Sequence, residues 1–308
     1  MEKKFTVLRL DQIVGEGMLD VFKRYGCEAE VTDYAIKRGT VPFKLKGKYF
    51  AANGLEVESS LLNKKCCDYW TSTKVEGSIR KAYSYGRFNC NGESAWNDDN
   101  GVRIVVPLEM IKDEITDSYT IKGDNGDVTV VTYGEYPQTI LPSDRAYAIH
   151  QHFENGDAKP TGKEYGAIGY KVERYYDGDE RHFEEDDYKE YEYNGKKYVL
   201  AKTSTFDNGF GRHFWAKVEP IEWIVDEKSG LAITKKCIVG GIPLSRKGLY
   251  FGNFDKTLVQ EFLDNDFAYD IQPVKKVINK DIESERALDS MFEVQPINEE
   301  EKAKEKSL

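Results

Sequence analysis

Residues 215–225 read WAKVEPIEWIV, and this stretch decides the fold. Its side chains alternate between two faces, with Ile221, Trp223 and Val225 together on one of them. A polar turn, DEKSG at 226–230, follows it, and residues 231–234 then read LAIT. Period-two alternation broken by a glycine-containing polar turn predicts a β-hairpin.

A second strand is predicted upstream, where residues 128–138 read VTVVTYGEYPQ. We expect this strand to end at its proline, because proline cannot donate a hydrogen bond to a neighbouring strand. The turn GDNG at 123–126 joins it to residues 119–121 in a plausible hairpin. Short runs of similar β-prone composition, separated by Gly, Asn and Asp, predict further strands at 49–52, 69–73, 81–88, 102–108 and 197–205. Strands are also predicted to continue past the central hairpin to Ile242.

Helices are predicted at both ends of this β-rich chain. Residues 11–39 indicate two short helices, the first closed by Gly26 and the second opened by Thr32. Residues 258–267 carry an apolar stripe of Val259, Phe262 and Leu263, and residues 281–292 suggest a last helix. The fold class is therefore α+β, with mostly antiparallel short strands and a few short helices.

The polar, tyrosine-rich residues 139–195 interrupt the strand pattern, and we interpret them as a long insertion with some structure of its own. The predicted division is an N-terminal segment at 1–110, a second segment at 111–285 and a tail at 286–308. The charged, apolar-poor end of that tail is typical of disorder.

Bulk composition restricts the classes of partner. The net charge of −10 over 308 residues argues against nucleic acid and against an anionic membrane surface, since both require clustered Lys and Arg. No apolar run is long enough to span a bilayer. The N-terminus lacks the apolar core of a signal peptide, and the five cysteines follow no small-scaffold spacing. These features favour a cytoplasmic protein with free thiols, and a phage protein released by lysis would look the same.

Three segments resemble an uncharacterised bacterial and phage family with "YPQ" and "PIEW" motifs. They are YGEYPQ at 133–138, PIEWIV at 220–225, and the predicted helix within 254–270. That family is related to the C-type-lectin-like fold, which formylglycine-generating enzymes also use. The resemblance implies this fold, and the YWTST run at 69–73 and the GVRIVVP run at 101–107 look like its later "WTS" and "GVRP" elements.

Three departures qualify what the resemblance implies, and the first is that Ile104 stands where the "GVRP" pattern has proline. The "WTS" and "GVRP" elements precede the "YPQ" strand here, so we expect residues 1–110 and 111–285 to form one permuted domain, with two separate domains as the alternative. No cysteine pair matches the catalytic cysteines of formylglycine-generating enzymes, so the resemblance supports a fold and not that activity.

Candidate metal ligands are sparse. Asn97 and Asp98 follow Trp96 in a "WND" run like that of calcium-binding lectins, whose ligands are carboxylate and amide oxygens. An ordinary polar turn is the competing interpretation, and no other cofactor is expected. His150 and His152 would share one face of a strand, where we expect a solvent-exposed pair. The acidic run 177–192 lacks the ligand pattern of an EF-hand loop and indicates a solvated face.

Other reactive groups indicate structural roles. Glu219 and Glu222 are three apart in a strand and point to opposite faces, so a shared substrate is not expected. Glu222 is expected to accept hydrogen bonds from buried backbone donors beside Trp223. Cys66 and Cys67 have no activating His or cation beside them in the sequence.

The strongest functional signal is a polar hairpin region at 81–100, dense in aromatic, Arg and Asn side chains. Such residues are typical of adaptable binding surfaces, and ordinary strand alternation with exposed tyrosines is the competing interpretation. The expected ligand-binding residues are Tyr83, Tyr85, Arg87, Phe88, Asn89, Asn91 and Trp96. We therefore expect a non-enzymatic ligand- or protein-binding protein with a protein or glycan partner. The alternatives are an enzyme on the same scaffold acting on a protein or glycan, and a phage structural or host-interaction subunit.

Overall fold

The computed structural model describes residues 5–44, 49–50, 56–57, 65–75, 78–82, 100–123, 125–166, 172–173, 180–181, 188–202, 213–244 and 253–272. The predicted helix at 281–292 and the predicted tail at 286–308 lie outside these residues. The described α-helices are α1 (Leu10–Ile13), α2 (Asp20–Tyr25), α3 (Asp33–Lys37), α4 (Ser143–Glu154), α5 (Leu258–Phe262) and α6 (Ala268–Asp270). A π-helical turn, Leu263–Phe267, joins the last two, and short 3-10 turns occupy Leu108–Met110, Lys112–Glu114 and Phe254–Lys256.

The described strands are mostly short and mostly antiparallel. In chain order they are β1 (Thr6–Val7), β2 (Glu30–Val31), β3 (Phe43–Lys44), β4 (Tyr49–Phe50), β5 (Glu56–Val57), β6 (Lys65–Cys66), β7 (Tyr69–Val75), β8 (Ser78–Ala82), β9 (Gly101–Val102), β10 (Ile104–Pro107), β11 (Asp117–Gly123), β12 (Gly126–Ile140), β13 (Lys159–Tyr165), β14 (Val172–Glu173), β15 (Glu180–Arg181), β16 (Tyr188–Tyr193), β17 (Lys196–Lys202), β18 (His213–Asp226), β19 (Leu231–Thr234), β20 (Lys236–Cys237) and β21 (Val239–Gly240). The α+β class predicted from the sequence is confirmed.

Nine of the described strands form one sheet built around β18. One edge of β18 pairs with β12, and its other edge pairs first with β17 and then with β19. The sheet continues through β16 to β13 on one side and through β10 to β1 on the other. The predicted hairpins β18–β19 and β11–β12 are both confirmed.

Apolar side chains cover both faces of this sheet. Ile221, Trp223 and Val225 share one face, as the alternation predicts, and pack with the α5 side chains Val259 and Phe262. The opposite face belongs to a second buried cluster, in which sheet residues pack against the N-terminal helices. Burying each such side chain contributes about 1.5–3 kcal/mol to folding.

The prediction that the upstream strand ends at Pro137 is wrong. Pro137 lies inside β12 opposite Val218, and the strand continues to Ile140. A β-bulge between Pro137 and Thr139 interrupts the ladder there. The Gln138 side chain compensates, because its Nε2 donates to the carbonyl oxygens of Glu219 and Pro220 at 3.0 and 2.9 Å. A side-chain amide thus supplies donors at a point where proline cannot.

The N-terminal region differs in detail from the expected two helices. It holds α1, α2 and α3, with β2 between the last two. Gly26 closes α2 with φ 95°, and the Thr32 hydroxyl accepts from Ala35 N to open α3, as predicted. The extra break falls between Ile13 and Asp20, where Gly15 has φ 92°. Positive φ ends a helix and favours glycine.

Residues 139–195, which we interpreted as a long insertion with some structure of its own, contain regular elements. This stretch contains α4, and it supplies β13 and β16, which extend the central sheet through β17. The described residues contain no helix long and apolar enough to cross a bilayer.

Candidate functional site

The expected binding surface lies beyond the described residues. Tyr83, Tyr85, Arg87, Phe88, Asn89, Asn91 and Trp96 fall there, as do the candidate calcium ligands Asn97 and Asp98. The strand that leads into this segment, β8, is described and pairs with β7. Tyr69 and Trp70 on β7 are fully buried, so β8 pairs with a strand of the core. The surface and the calcium site remain predictions.

The structure brings together a different group of ionisable side chains, on β13, β16 and α6. We call it the Tyr165 cluster; it comprises Thr161, Lys163, Tyr165, Glu190 and Asp270. The Tyr165 hydroxyl donates to Glu190 Oε2 at 2.7 Å, and the Thr161 hydroxyl donates to Glu190 Oε1 at 2.8 Å. The Asp270 carboxylate accepts from the backbone N–H of Gly166 at 3.1 Å. Lys163, Tyr165, Glu190 and Asp270 are all buried.

A bulge in β13 shapes this cluster. While β13 advances from Pro160 to Glu164, β16 advances only from Tyr191 to Lys189. Gly162 takes φ 82° within the bulge, a conformation that few other residues adopt. Lys163 then projects to the buried side, with its Nζ 4.7 Å from the centre of the Tyr165 ring. Bulges of this kind commonly re-aim side chains next to functional sites.

Burial changes the proton affinities in the cluster. Desolvation lowers the pKa of the Lys163 ammonium, and the negative charges of Glu190, Asp270 and Glu135 only partly oppose it. Desolvation also raises the pKa of the Tyr165 phenol, and the Glu190 carboxylate that accepts its proton raises it further. Tyr165 is therefore a protonated donor, and the Lys163 amine carries a proton less readily than an exposed lysine does.

Aromatic rings surround the cluster. The Tyr136 ring makes edge contacts with Tyr34 at 5.8 Å and with Tyr165 at 5.6 Å between centroids. Arg38 is buried beside them, where it donates to the Tyr188 hydroxyl at 2.9 Å. Perturbed ionisable groups gathered in an apolar setting are a common mark of functional sites.

These residues were not predicted from the sequence, although the sequence contains a signal for one of them. The acidic run 177–192 was interpreted as a solvated face, and this is wrong for Glu190, which is 1% exposed. In β16, Tyr188 and Glu190 are two apart and share the buried face, while Lys189 between them is exposed. Period-two alternation in YKEYEY would have indicated a buried carboxylate.

The two histidines lie on helix α4 and not on a strand, so the expectation that they share a strand face is wrong. Side chains two residues apart on a helix point about 200° apart around its axis, so the two imidazoles lie on nearly opposite sides of α4. His150 stacks on Phe153 at 5.8 Å between centroids, and His152 stacks on Tyr193 at 4.1 Å. His152 Nδ1 lies 3.2 Å from an Asp157 carboxylate oxygen, and its Nε2 lies 2.9 Å from the Tyr193 hydroxyl.

These rings form part of what we call the α4 aromatic group. Its members are His150, His152, Phe153, Tyr191, Tyr193 and Trp215. Trp215 is buried beneath α4, whereas the two histidines are partly exposed. Tyr147, one turn before Gln151 on the same helix, is 65% exposed and accepts a hydrogen bond from Gln151. The group is therefore a patch of rings in stacked and edge contact, with an exposed tyrosine on the same helix.

The four described cysteines, Cys27, Cys66, Cys67 and Cys237, are all buried. Cys67 and Cys237 contact each other across Gly101, where an added Cβ would stand 2.7 and 3.1 Å from their sulfurs. Desolvation and the Cys237 thiol raise the pKa of the Cys67 thiol well above its usual range. Such thiols are poor nucleophiles.

The carboxylates beside the central hairpin have separate partners. Glu219 accepts from Thr139 at 2.6 Å and from Lys217 at 2.7 Å. Glu222 accepts from the Tyr119 hydroxyl and, at 2.9 Å, from Lys235 Nζ, and not from the backbone donors that we expected. Burial alone would raise the pKa of Glu222, but these two hydrogen bonds outweigh it and lower the pKa.

Within the described ranges, no three His, Cys, Asp or Glu side chains are grouped so as to hold a metal ion. A scan against protein-family models, a search of curated proteins and a search of solved structures gave no match.

Proposed function

We propose that this chain is a non-enzymatic binding protein for a protein or glycan ligand, built on a C-type-lectin-like scaffold. The α4 aromatic group is the observation that supports it most directly. Stacked aromatic rings offer large contact area at low entropic cost, which is the property that binding surfaces exploit. The segment 81–100, which begins at the end of strand β8, is the proposed second part of the surface.

The scaffold proposal rests on the short antiparallel strands and on the place of the "YPQ" and "PIEW" segments. They are the paired strands β12 and β18 at the centre of the sheet. The motif residues Tyr136, Ile221 and Trp223 are buried there, so these motifs have a structural role that fits a shared fold. Relation to the YPQ/PIEW family remains part of this proposal.

The test uses the whole chain on a printed glycan array and in affinity capture from host-cell lysate. The triple variant Tyr83→Ala, Tyr85→Ala, Arg87→Ala should lose the ligand, and Tyr147→Ala should weaken its binding. Tyr269→Ala is the matched control, because Tyr269 is 62% exposed and lies away from both surfaces in the sequence. All variants should melt within about 2–4 °C of the parent, since surface substitutions usually change stability little.

Two outcomes would contradict the binding proposal. One is ligand capture that survives both the triple variant and Tyr147→Ala. The other is loss of capture in Tyr269→Ala to the same extent.

Asn97 and Asp98 are the proposed calcium ligands. If they hold calcium, millimolar calcium should raise the melting temperature by several degrees through linkage, and Asn97→Ala with Asp98→Ala should abolish the shift. Equal melting temperatures with and without calcium would remove the lectin-type site and leave the aromatic surface.

An enzyme on the same scaffold is the second candidate function. The Tyr165 cluster favours it, because buried ionisable groups with shifted pKa values converge there.

A further inference from the structure

We propose that the Lys163 side chain is a nucleophilic amine that condenses with small, neutral aldehydes to form an imine. This reactivity does not depend on the binding function proposed above. It would give the second candidate function a specific chemistry.

The bulge in β13 places Lys163 on the buried side of the strand. On an ordinary edge strand, a lysine in a polar segment such as KPTGKEY would reach into water. The bulge at Thr161–Lys163 instead turns this one inward, so that it is 6% exposed and lies over the Tyr165 ring. Among the described residues, Lys163 forms no ion pair that would hold its proton. By contrast, Lys197 on a nearby strand is paired with Glu135.

Charge and polarity around the amine select the carbonyl partner. The ionisable groups that act on Lys163 are Glu190, Asp270, Glu135, Lys197 and the protonated Tyr165. Three of these carry negative charge and one carries positive charge, so a keto acid would be repelled. The nearby rings of Tyr165 and Tyr136 favour an apolar or aromatic substituent. A neutral aldehyde satisfies both conditions.

The reaction balances without any further reagent. The unprotonated Lys163 nitrogen donates its electron pair to the aldehyde carbon, and the carbonyl oxygen takes up one of the two amine protons. The resulting carbinolamine then loses its hydroxyl with the second amine proton as water, leaving a C=N bond. Burial favours the unprotonated amine that this first step requires, since it lowers the pKa of Lys163.

Glu190 is a positioning residue for this amine. Hydrogen bonds from Thr161 and Tyr165 hold its carboxylate in the cluster, and its negative charge raises the proton affinity of Lys163. Removing that charge should therefore make the amine more reactive near neutral pH. A residue that served packing alone would not produce this gain.

The experiment traps the imine by mild reduction. The intact chain is treated at pH 7 with limiting benzaldehyde or acetaldehyde and cyanoborohydride, and labelled lysines are located by peptide mass spectrometry. Lys163 should be labelled faster than the exposed Lys159 and Lys189, because burial lowers the pKa of its ammonium and leaves more of the amine unprotonated near neutral pH. Glyoxylate should label Lys163 less than acetaldehyde does.

Variants and a pH series then distinguish labelling caused by the lowered pKa of Lys163 from labelling caused by solvent exposure. Lys163→Arg should remove the fast label, and Glu190→Gln should increase labelling of Lys163 near neutral pH. The labelling midpoint of Lys163 against pH should lie below 10.5, the ordinary lysine value, and should return to it in urea. If Glu190→Gln does not fold, the pH profile of the parent and the Lys163→Arg variant still test whether Lys163 is the reactive amine.

Labelling of Lys163 no faster than of Lys159 and Lys189 would overturn the proposal. So would a midpoint that is unchanged by urea. Neither result would affect the binding function, whose test rests on Tyr83, Tyr85, Arg87 and Tyr147.

Discussion

Arg103 shows how one buried ionic side chain joins distant parts of the chain. Its Nη1 donates to the Cys27 carbonyl at 2.7 Å, and its Nε donates to the Thr234 carbonyl at 3.1 Å. Its guanidinium also lies over the rings of Phe22 and Tyr69. This is the arginine of the "GVR" run, so that motif connects α2, β7 and β19.

Arg103→Ala should destabilise the protein by about 3 kcal/mol or more, because it leaves buried carbonyls without donors and opens a cavity. Urea denaturation of purified protein measures this difference. Arg9→Ala is the control: Arg9 is exposed and pairs with its neighbour Asp11 on the surface, so its loss should cost less than about 0.5 kcal/mol. Equal effects of the two substitutions would contradict the structural role given to Arg103.

Glu222 makes stability depend on pH. Its pKa is lower in the folded chain than the ordinary 4.5, so its stabilisation is fully present above pH 4.5 and is lost as pH falls through the folded-state pKa. Glu222→Gln should therefore cost about 1–2 kcal/mol at pH 7, and the difference from the parent should vanish in acid. Denaturation at pH 7 and in stepwise lower buffers measures it. A difference that stays constant down to pH 3 would show that the charge is not the cause.

At the scale of elements, the β12–β18 pair sets the positions of the other strands in the central sheet. β18 is 14 residues long and pairs along both edges, so the neighbouring strands take their register from it. The two irregularities in β12, at Thr132–Glu135 and Pro137–Thr139, are accommodated without ending the pairing. Gly134, in the first of them, has φ 71° and packs against Ile271.

Gln138→Ala tests whether the second bulge depends on a side-chain amide. Its removal leaves the carbonyls of Glu219 and Pro220 without their donor, which should cost about 1–3 kcal/mol. Gln151→Ala, which removes an exposed amide bonded to Tyr147, should have little effect on stability. Thermal melts of both variants provide the comparison. If the two lose equal stability, the bulge is held by the backbone alone.

At the scale of the whole molecule, the two predicted segments share one sheet. From the N-terminal segment, β1 and β10 pair with each other, and β10 also pairs with β19 through Val105 and Ile233. Val105 lies in the same buried cluster as Val130 and Ile224. These contacts favour one shared domain over two separate ones.

Separate expression of residues 1–112 and 113–308 tests that division. Neither fragment should show a cooperative melt alone, because each would leave the edge and one face of the sheet uncovered. Mixing the two should restore the transition. Two fragments that each fold cooperatively and have no affinity for each other would establish separate domains.

The sequence by itself determined the features that depend on local spacing. Period-two alternation placed Ile221, Trp223 and Val225 on one face, and turn residues located the hairpins. Helix caps at Gly26 and Thr32 were found because capping depends on residues within one turn. The same logic was available for α4, where Ala146, Ile149 and Phe153 have helical spacing, but the paired histidines suggested a strand.

Only the tertiary structure decided where the reactive groups meet. Lys163 and Glu190 are far apart in the sequence, and a bulge in β13 and the pairing of β13 with β16 bring them into one cluster. Pro137 lies inside a strand although it has no N–H to donate. The Gln138 side chain compensates by donating a hydrogen bond to a carbonyl on β18. Bulges and buried partners depend on residues of another strand that are distant in the sequence, so local spacing cannot predict them.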